Sequence, residues 1–422
     1  MDLHTVNVRH DRCRLCRYTP LLNVFRVGDQ YVSDFVEGEE AACAGPKCPI
    51  EIVRCPNCFL VQQRYTAPQQ FLYSRHYWYR SGVTQMMKDA LRDVTAAAEK
   101  RVRLEPGDVV LDIGSNDGTL LRSYGVNPNW PSDGLVRVGV EPADNMRTYY
   151  KGTGEPFLIP EFWSAKAYNQ YMTHGKLAKV ITAIGMFYDL EDPLAFVKDV
   201  AAVLHPEGLF VAQLMCLKQT LAIGDVGNLA HEHLEFYTLL SLNHLYDLAG
   251  LTIVEIEENA VNGGSYRIYA RKKLTVDHHY PIKKPIGWVD ETEIDDHEKV
   301  VAGFARMEAN RRQVAKFILD EAVRGRRTWV YGASTKGNVM LQYWGLSRTV
   351  LDGAADRSPE KHGKYMVGSG VRIYPETEFR AAAPAYALVL PYSFLPEILE
   401  REREWREGGG KFIVPLPEFR VI

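Results

Sequence analysis

Short continuous apolar runs alternate with amphipathic stretches through the middle of the chain. DVVLDIG, LVRVGVEPAD, KVITAIGMFYDL and GLFVAQLM read as strands, and the intervening DPLAFVKDVAAVL reads as a helix. Unbroken rather than alternating apolar character is what a mostly parallel sheet needs when helices cover both of its faces. The preceding QMMKDALRDVTAAAEKRVRL has apolar positions at helical spacing. Together these segments predict an α/β domain over residues 73–275. A polar helical stretch, DHEKVVAGFARMEANRRQVAKFILDEAV, dominates a connection at 276–324. RTWVYGASTKGNVMLQYWGL, RTVLDGAAD, YALVLPYSF and KFIVPLP then predict a second, Rossmann-like α/β unit at 325–422. Residues 1–72 have few apolar runs and turn-rich pieces such as CAGPKCP and RCPNC, so this module's own core is small.

The length of 422 residues fits more than one domain. The formal charge is only -3, with lysine and arginine scattered along the chain, so electrostatics does not demand a nucleic-acid partner. The N-terminus has no apolar secretory core, and no run approaches the roughly 18 apolar residues of a membrane span. A cytoplasmic protein without a membrane partner is expected, and the oligomeric state is left open.

Six of the seven cysteines lie within the first 58 residues, which favours a metal site over a disulfide scaffold. Cys13-x-x-Cys16 and Cys55-x-x-Cys58 form the cleanest four-thiolate set for one tetrahedral ion. Zinc suits such soft ligands in a closed structural site. Cys43 and Cys48 are packing residues or alternative ligands. An iron–sulfur centre and a nucleic-acid-binding ribbon are the other readings, the latter needing basic and aromatic side chains on one face.

The sharpest motif is VVLDIGSNDGTLL at residues 109–121. A strand leads into Gly114, Ser115, Asn116 and Gly118, small enough to let a ligand approach the backbone before a helix starts. Asp112 is placed to bind near a methionine moiety or to organise the turn. Glu141, ending the next strand, offers paired acceptors for two ribose hydroxyls. The combination points to S-adenosylmethionine, with NAD and a ligand-free acidic cap as alternatives. Met186 and Phe187 follow another strand and can flank adenine, or simply belong to the core.

NLAHEHLEFYTLLSL sets His231, Glu232 and His233 in succession, without the HExxH spacing of a metal site. Proton transfer by histidine and structural hydrogen bonding are both open for this cluster. In YSRHYWYRSG, Tyr77 and Tyr79 can donate to a developing oxyanion and Arg80 can bind phosphate, although aromatic packing is the plainer reading. NAVNGGSYRIYARK brings Asn262 and Arg267 near a small-residue turn, which reads as a carbonyl or phosphate contact or, nearly as well, as a strand bulge or hairpin. Lys336 in YGASTKGN can add charge beside a glycine-rich turn, but KGN is not the ending of a P-loop, so ATPase activity is not expected.

The ordered set CRLC, CPNC, YWYRSG, LDIGSNDGTLL, HEHLEFY, NGGSYRIY, YGASTKGN, DRSPEKHG and LPYSF resembles the zinc-containing sugar C-methyltransferases that act on nucleotide-linked 4-keto deoxysugars. The resemblance covers nearly the whole chain. It implies a small N-terminal zinc module, a class I S-adenosylmethionine-dependent methyltransferase domain, and a C-terminal domain completing the substrate cleft. It further implies Tyr79, Glu232 and His233 at the reaction centre, with His233 as the base. Asn262, Lys336 and Tyr392 become substrate contacts, and Asn338 a support for the glycine-rich turn. The implied chemistry is deprotonation beside a ketone followed by methylation of the enolate carbon. Ala230 stands where related enzymes often have tyrosine, Asn262 replaces a frequent histidine, and LPYSF replaces a tryptophan-centred motif. Another enolizable carbonyl acceptor and a noncatalytic zinc-containing interaction protein remain the alternatives.

Overall fold

The computed structural model describes residues 7–67, 72, 78–125, 134–152, 154–172, 175–273 and 285–422. Near the N-terminus, strands β1 (Leu22–Tyr31), β2 (Lys47–Arg54) and β3 (Val61–Gln63) pair antiparallel. Helix α1 (Gln85–Arg101) follows, started by the Thr84 side chain, which accepts the Met87 N–H at 3.3 Å.

Strands β4 (Val109–Ile113), β5 (Val136–Val140), β6 (Phe157–Ile159) and β7 (Ala178–Ile184) come next. They are followed by helix α2 (Pro193–Val203) and strand β8 (Leu204–Met215). Strand β9 (Glu235–Phe236) leaves this unit and pairs antiparallel with β3. The module's sheet is therefore completed by a strand from the middle of the chain. Helix α3 (Leu239–Leu248) and the antiparallel pair β10 (Leu251–Asn259) and β11 (Ser265–Lys272) close the central unit.

The central sheet has the order β6-β5-β4-β7-β8-β11-β10, with β11 antiparallel to β8. Because β4 has later strands on both sides, the sequence direction reverses there, and a crevice opens beyond the carboxyl ends of β4 and β7. Alternate residues of the strands feed two cores. Val110 and Val180 pack with Leu91 and Val94 of α1, whereas Leu111 and Ile181 share a cluster with Val197 of α2 and Leu245 of α3. The unbroken apolar strands thus arise because both faces are covered.

Helix α4 (His297–Val323) leads to β12 (Thr328–Tyr331), α5 (Thr335–Trp344), β13 (Ala354–Asp356), β14 (Ile373–Pro375), β15 (Tyr386–Val389), β16 (Lys411–Val414) and β17 (Arg420–Val421). These strands form a sheet of order β14-β13-β12-β15-β16-β17, in which β17 alone runs antiparallel to its neighbour. Helix α4 packs across units: Phe304 stacks on Phe25 of β1 with centroids 5.3 Å apart and shares a buried cluster with Leu217 and Met340. No helix among the described residues is long and apolar enough to cross a membrane.

Candidate functional site

A cavity of about 490 Å³ occupies the crevice at the carboxyl ends of β4 and β7, and Thr335 and Lys336 at the start of α5 close its far side. One half is built around the glycine-rich turn. Gly114 has φ +70°, and a Cβ there would lie 2.9 Å from Met186 Cγ, so the turn requires glycine to admit anything between them. Asn116 also takes a left-handed conformation, φ 51°. Its amide is used to dock the preceding aromatic junction: it accepts the Ser81 N–H at 2.9 Å and donates to Tyr79 O at 3.0 Å.

Glu141 lines the cavity with its two oxygens accepting the N–H groups of Asn116 at 3.0 Å and Ala143 at 2.9 Å. Each carboxylate oxygen keeps a further lone pair for a ligand hydroxyl. Burial raises the Glu141 carboxyl above its ordinary value, opposed by these two N–H donors. Asp112 lies one step behind the surface of the cavity, accepting the Thr182 hydroxyl at 2.6 Å, and burial lifts it to about 7. Ser115 is likewise buried and meets the Tyr150 hydroxyl at 2.7 Å. Asp112 and Ser115 shape the turn from behind. At Gly118, φ is +76° and a Cβ would crowd the Tyr150 ring at 3.2 Å, so this glycine keeps the turn closed.

The adjacent pair Met186 and Phe187 separates. Met186 faces the cavity, while Phe187 is fully buried among Phe196, Tyr237 and Tyr246 and is a core residue rather than a cofactor contact. Phe162 and Trp163, beyond β6, line the same half and were not singled out in the sequence. No spacing rule marks a residue that reaches the crevice from a loop.

Glu232, His233 and Lys336 lie together elsewhere on the cavity wall, while Tyr79 lines it beside the glycine-rich turn. His233 Nδ1 lies 2.9 Å from Asn228 O, and since a carbonyl only accepts, Nδ1 carries the proton and Nε2 the lone pair. Burial, helped by the Lys336 charge, lowers His233 to about 3, so the ring is neutral near neutral pH. Lys336 Nζ donates to Asn228 Oδ1 at 2.6 Å and approaches Met215 Sδ at 3.2 Å. Asn228 thereby serves both Lys336 and His233. Glu232 is raised by burial and restrained by Thr335 and Lys336. Tyr79 lines the cavity, and burial pushes its phenol up to about 12, opposed by a hydrogen bond with Ser81.

Other expected contacts sit elsewhere. Arg80 donates to the Tyr149 hydroxyl at 2.7 Å outside the cavity. Arg267 is buried and held by Gln213 at 2.8 Å and Asp93 at 2.9 Å, a sheet-stabilising arrangement rather than a substrate contact. Asn338 donates to Asp34 O at 3.0 Å, so its amide ties α5 to the N-terminal module instead of supporting the glycine-rich turn. Tyr392 donates to Asp225 Oδ2 at 2.8 Å behind the reaction half. Tyr77 and the side chain of Asn262 lie outside the described residues. His231 points away, its Nε2 3.0 Å from Cys48 O.

Cys13, Cys16, Cys55 and Cys58 converge with their sulfur atoms all within 4.8 Å of one another. Two matching turns present them: the Arg17 N–H donates to Cys13 O at 2.9 Å and the Phe59 N–H to Cys55 O at 3.0 Å. Both turns place a non-glycine residue in the left-handed region, φ 61° at Arg17 and 64° at Phe59. Gln62 Nε2 points to Cys13 Sγ at 3.3 Å, a donor suited to a thiolate. Cys43 is exposed and Cys48 is buried outside the cluster, its thiol pushed up to about 12 by burial. The donor set fits one tetrahedral soft ion.

Residues 83–256 match the family described as "Methyltransferase domain", and residues 260–417 match "C-methyltransferase C-terminal domain". The C-methyltransferase NovU of Streptomyces niveus is 29% identical over 420 residues, spanning 98% of this chain and 97% of its own. A chain from the complex of the Haloferax volcanii Trm112 methyltransferase activator with a methyltransferase is 14% identical, with 45% of this chain and 95% of that one covered at a TM-score of 0.35. The CcbJ methyltransferase of Streptomyces caelestis is 15% identical, with 44% and 90% covered at a TM-score of 0.33.

Proposed function

We infer the reaction from one premise: this chain belongs to the C-methyltransferase family and is an S-adenosylmethionine-dependent C-methyltransferase. We propose that it methylates a nucleotide-linked ketosugar at a carbon beside the ketone, through an enolate. The observation that carries this reading is the neutral His233, its Nδ1–H committed to Asn228 O and its Nε2 lone pair available in the same cavity as the glycine-rich turn.

Gly114, Asn116, Glu141 and Met186 are the residues that would hold the donor: the turn gives close backbone approach and Glu141 gives paired acceptors. Bound there, S-adenosylmethionine supplies an electrophilic methyl group for the enolate carbon. His233 Nε2 takes the proton from the carbon beside the ketone, and the electron pair of that C–H bond spreads onto the ketone oxygen. Lys336 has a double effect. Its charge opposes protonation of His233 yet favours the negative oxygen. Tyr79, protonated across the working range, can donate to the same oxygen. The Lys336 ammonium at the start of α5 also suits the phosphates of a nucleotide-linked sugar. The cysteine cluster takes zinc in a structural role.

Incubation with methyl-labelled S-adenosylmethionine and a panel of nucleotide-ketosugars, followed by carbon-position analysis, tests the reading. Label on carbon beside the ketone is expected, and label on oxygen or nitrogen overturns it. His233→Asn should lower kcat by about 10²–10⁴-fold while donor binding persists. Unchanged turnover removes His233 from the base role.

A further inference from the structure

The loop carrying Glu232 and His233 is held from the N-terminal module, and one side chain supplies most of the grip. Gln63 ends β3 and is fully buried. Its backbone N–H donates to Leu234 O at 2.8 Å. Its amide Nε2 donates to Ala230 O at 2.6 Å and to His233 O at 2.9 Å, with Leu229 O at 3.4 Å. The bonds to Ala230, His233 and Leu234 bracket residues 230–234, and β9 continues the attachment by pairing with β3 directly afterwards. From the other side, the His233 ring is tied to Asn228 O. The neighbouring Gln62 points to Cys13 Sγ, so successive residues of β3 face the cysteine cluster and the loop.

We propose that Gln63 is a positioning residue for His233: it fixes the backbone on which the imidazole is mounted without touching substrate or donor. The inference rests on the base role proposed for His233. Two N–H vectors on one amide hold carbonyls three residues apart, and this defines the loop's curvature and hence the place of Nε2. Removing them takes from His233 O its donor and leaves Ala230 O only the His233 N–H at 2.9 Å, so the loop can relax. A shift of about 1 Å at a reacting group is enough to cost about 100-fold in rate.

The test uses the full chain as Gln63→Met, which keeps length and apolar stem but removes the donors, and Gln63→Glu, which sets a carboxylate against the same carbonyls. Donor affinity by calorimetry and metal content by mass spectrometry are read beside kcat and KM. The expected result is a loss in kcat of about 10–100-fold with donor Kd within about twofold of wild type and metal content retained. Gln63→Glu should lose at least as much. Wild-type kcat in either folded, metal-loaded variant overturns the proposal, and so does a loss accompanied by equal weakening of donor binding. His233→Asn is measured in parallel: if it turns over at the wild-type rate, the base assignment fails, whereas an inactive His233→Asn beside a fully active Gln63→Met rejects only the role of Gln63.

Discussion

His231 and His233 are two residues apart, both buried and both neutral, yet only His233 reaches the cavity. His231 gives a test in pH. Burial lowers it from 6.5 to about 4, opposed by its bond to Cys48 O. Between those values the unfolded chain binds a proton that the native ring refuses, so this residue's contribution to stability is present above pH 6.5 and lost as pH falls toward 4. His231→Gln can keep a donor to Cys48 O and cannot titrate. Its unfolding free energy should depend less on pH across that window than the wild type's, by up to about 1.4 kcal/mol per pH unit. Urea titrations at pH 7 and pH 5 measure it, and parallel curves for the two proteins would show that His231 is not linked. Glu141 gives a second test at this scale. Glu141→Ala removes charge-assisted acceptors worth about 1.5–3 kcal/mol, so donor Kd should rise by roughly 10–100-fold in calorimetry.

The Cys55–Cys58 turn joins β2 to β3, and β3 pairs with β9, so loss of the proposed ion should be felt at the reaction loop. Cys55→Ser removes a thiolate from the four-sulfur set. It should abolish stoichiometric zinc and raise amide exchange in the module and across residues 230–236, while the α1 amides stay protected. Exchange confined to residues 7–67 would mean that β9 holds its place without the ion. At this scale much was legible in the sequence. The cysteine pairs, the glycine-rich turn and the strand leading into Glu141 each follow from local spacing and apolar patterning. The departure of β9 was not, because Glu235 and Phe236 carry no signal that distinguishes pairing with β3 from pairing within the central sheet. Phe187 and Asn338 misled for a related reason: a motif places a residue along the chain but not on one side of a strand end or helix. Asn228 escaped notice because the group that sets the His233 tautomer is a backbone carbonyl, which every residue possesses.

At the scale of the molecule, the cavity divides by origin. The glycine-rich turn, Glu141 and Met186 all come from the central sheet's own connections, whereas Lys336 arrives from the C-terminal unit at the start of α5. That arrangement depends on α4, whose Phe304 packs against the module, and on Asn338, which ties α5 to Asp34. Sequence patterning predicts the separate sheets but not their meeting, since contacts such as Phe25 with Phe304 join residues far apart in the chain. The proposed function divides this cavity into a donor half and an acceptor half. Lys336→Met keeps the stem but removes the ammonium, leaving Asn228 Oδ1 without its donor and, in the proposed mechanism, the enolate oxygen without its cation. The acceptor KM should rise by about tenfold or more and kcat should fall, while donor Kd stays within about twofold, because a lost charged hydrogen bond costs about 1.5–3 kcal/mol only where it was made. Steady-state kinetics against the acceptor, paired with calorimetry for the donor, separates the two halves. Equal losses on both sides would mean that Lys336 shapes the whole cleft, and an unchanged KM would overturn the proposal that α5 meets phosphates of the acceptor.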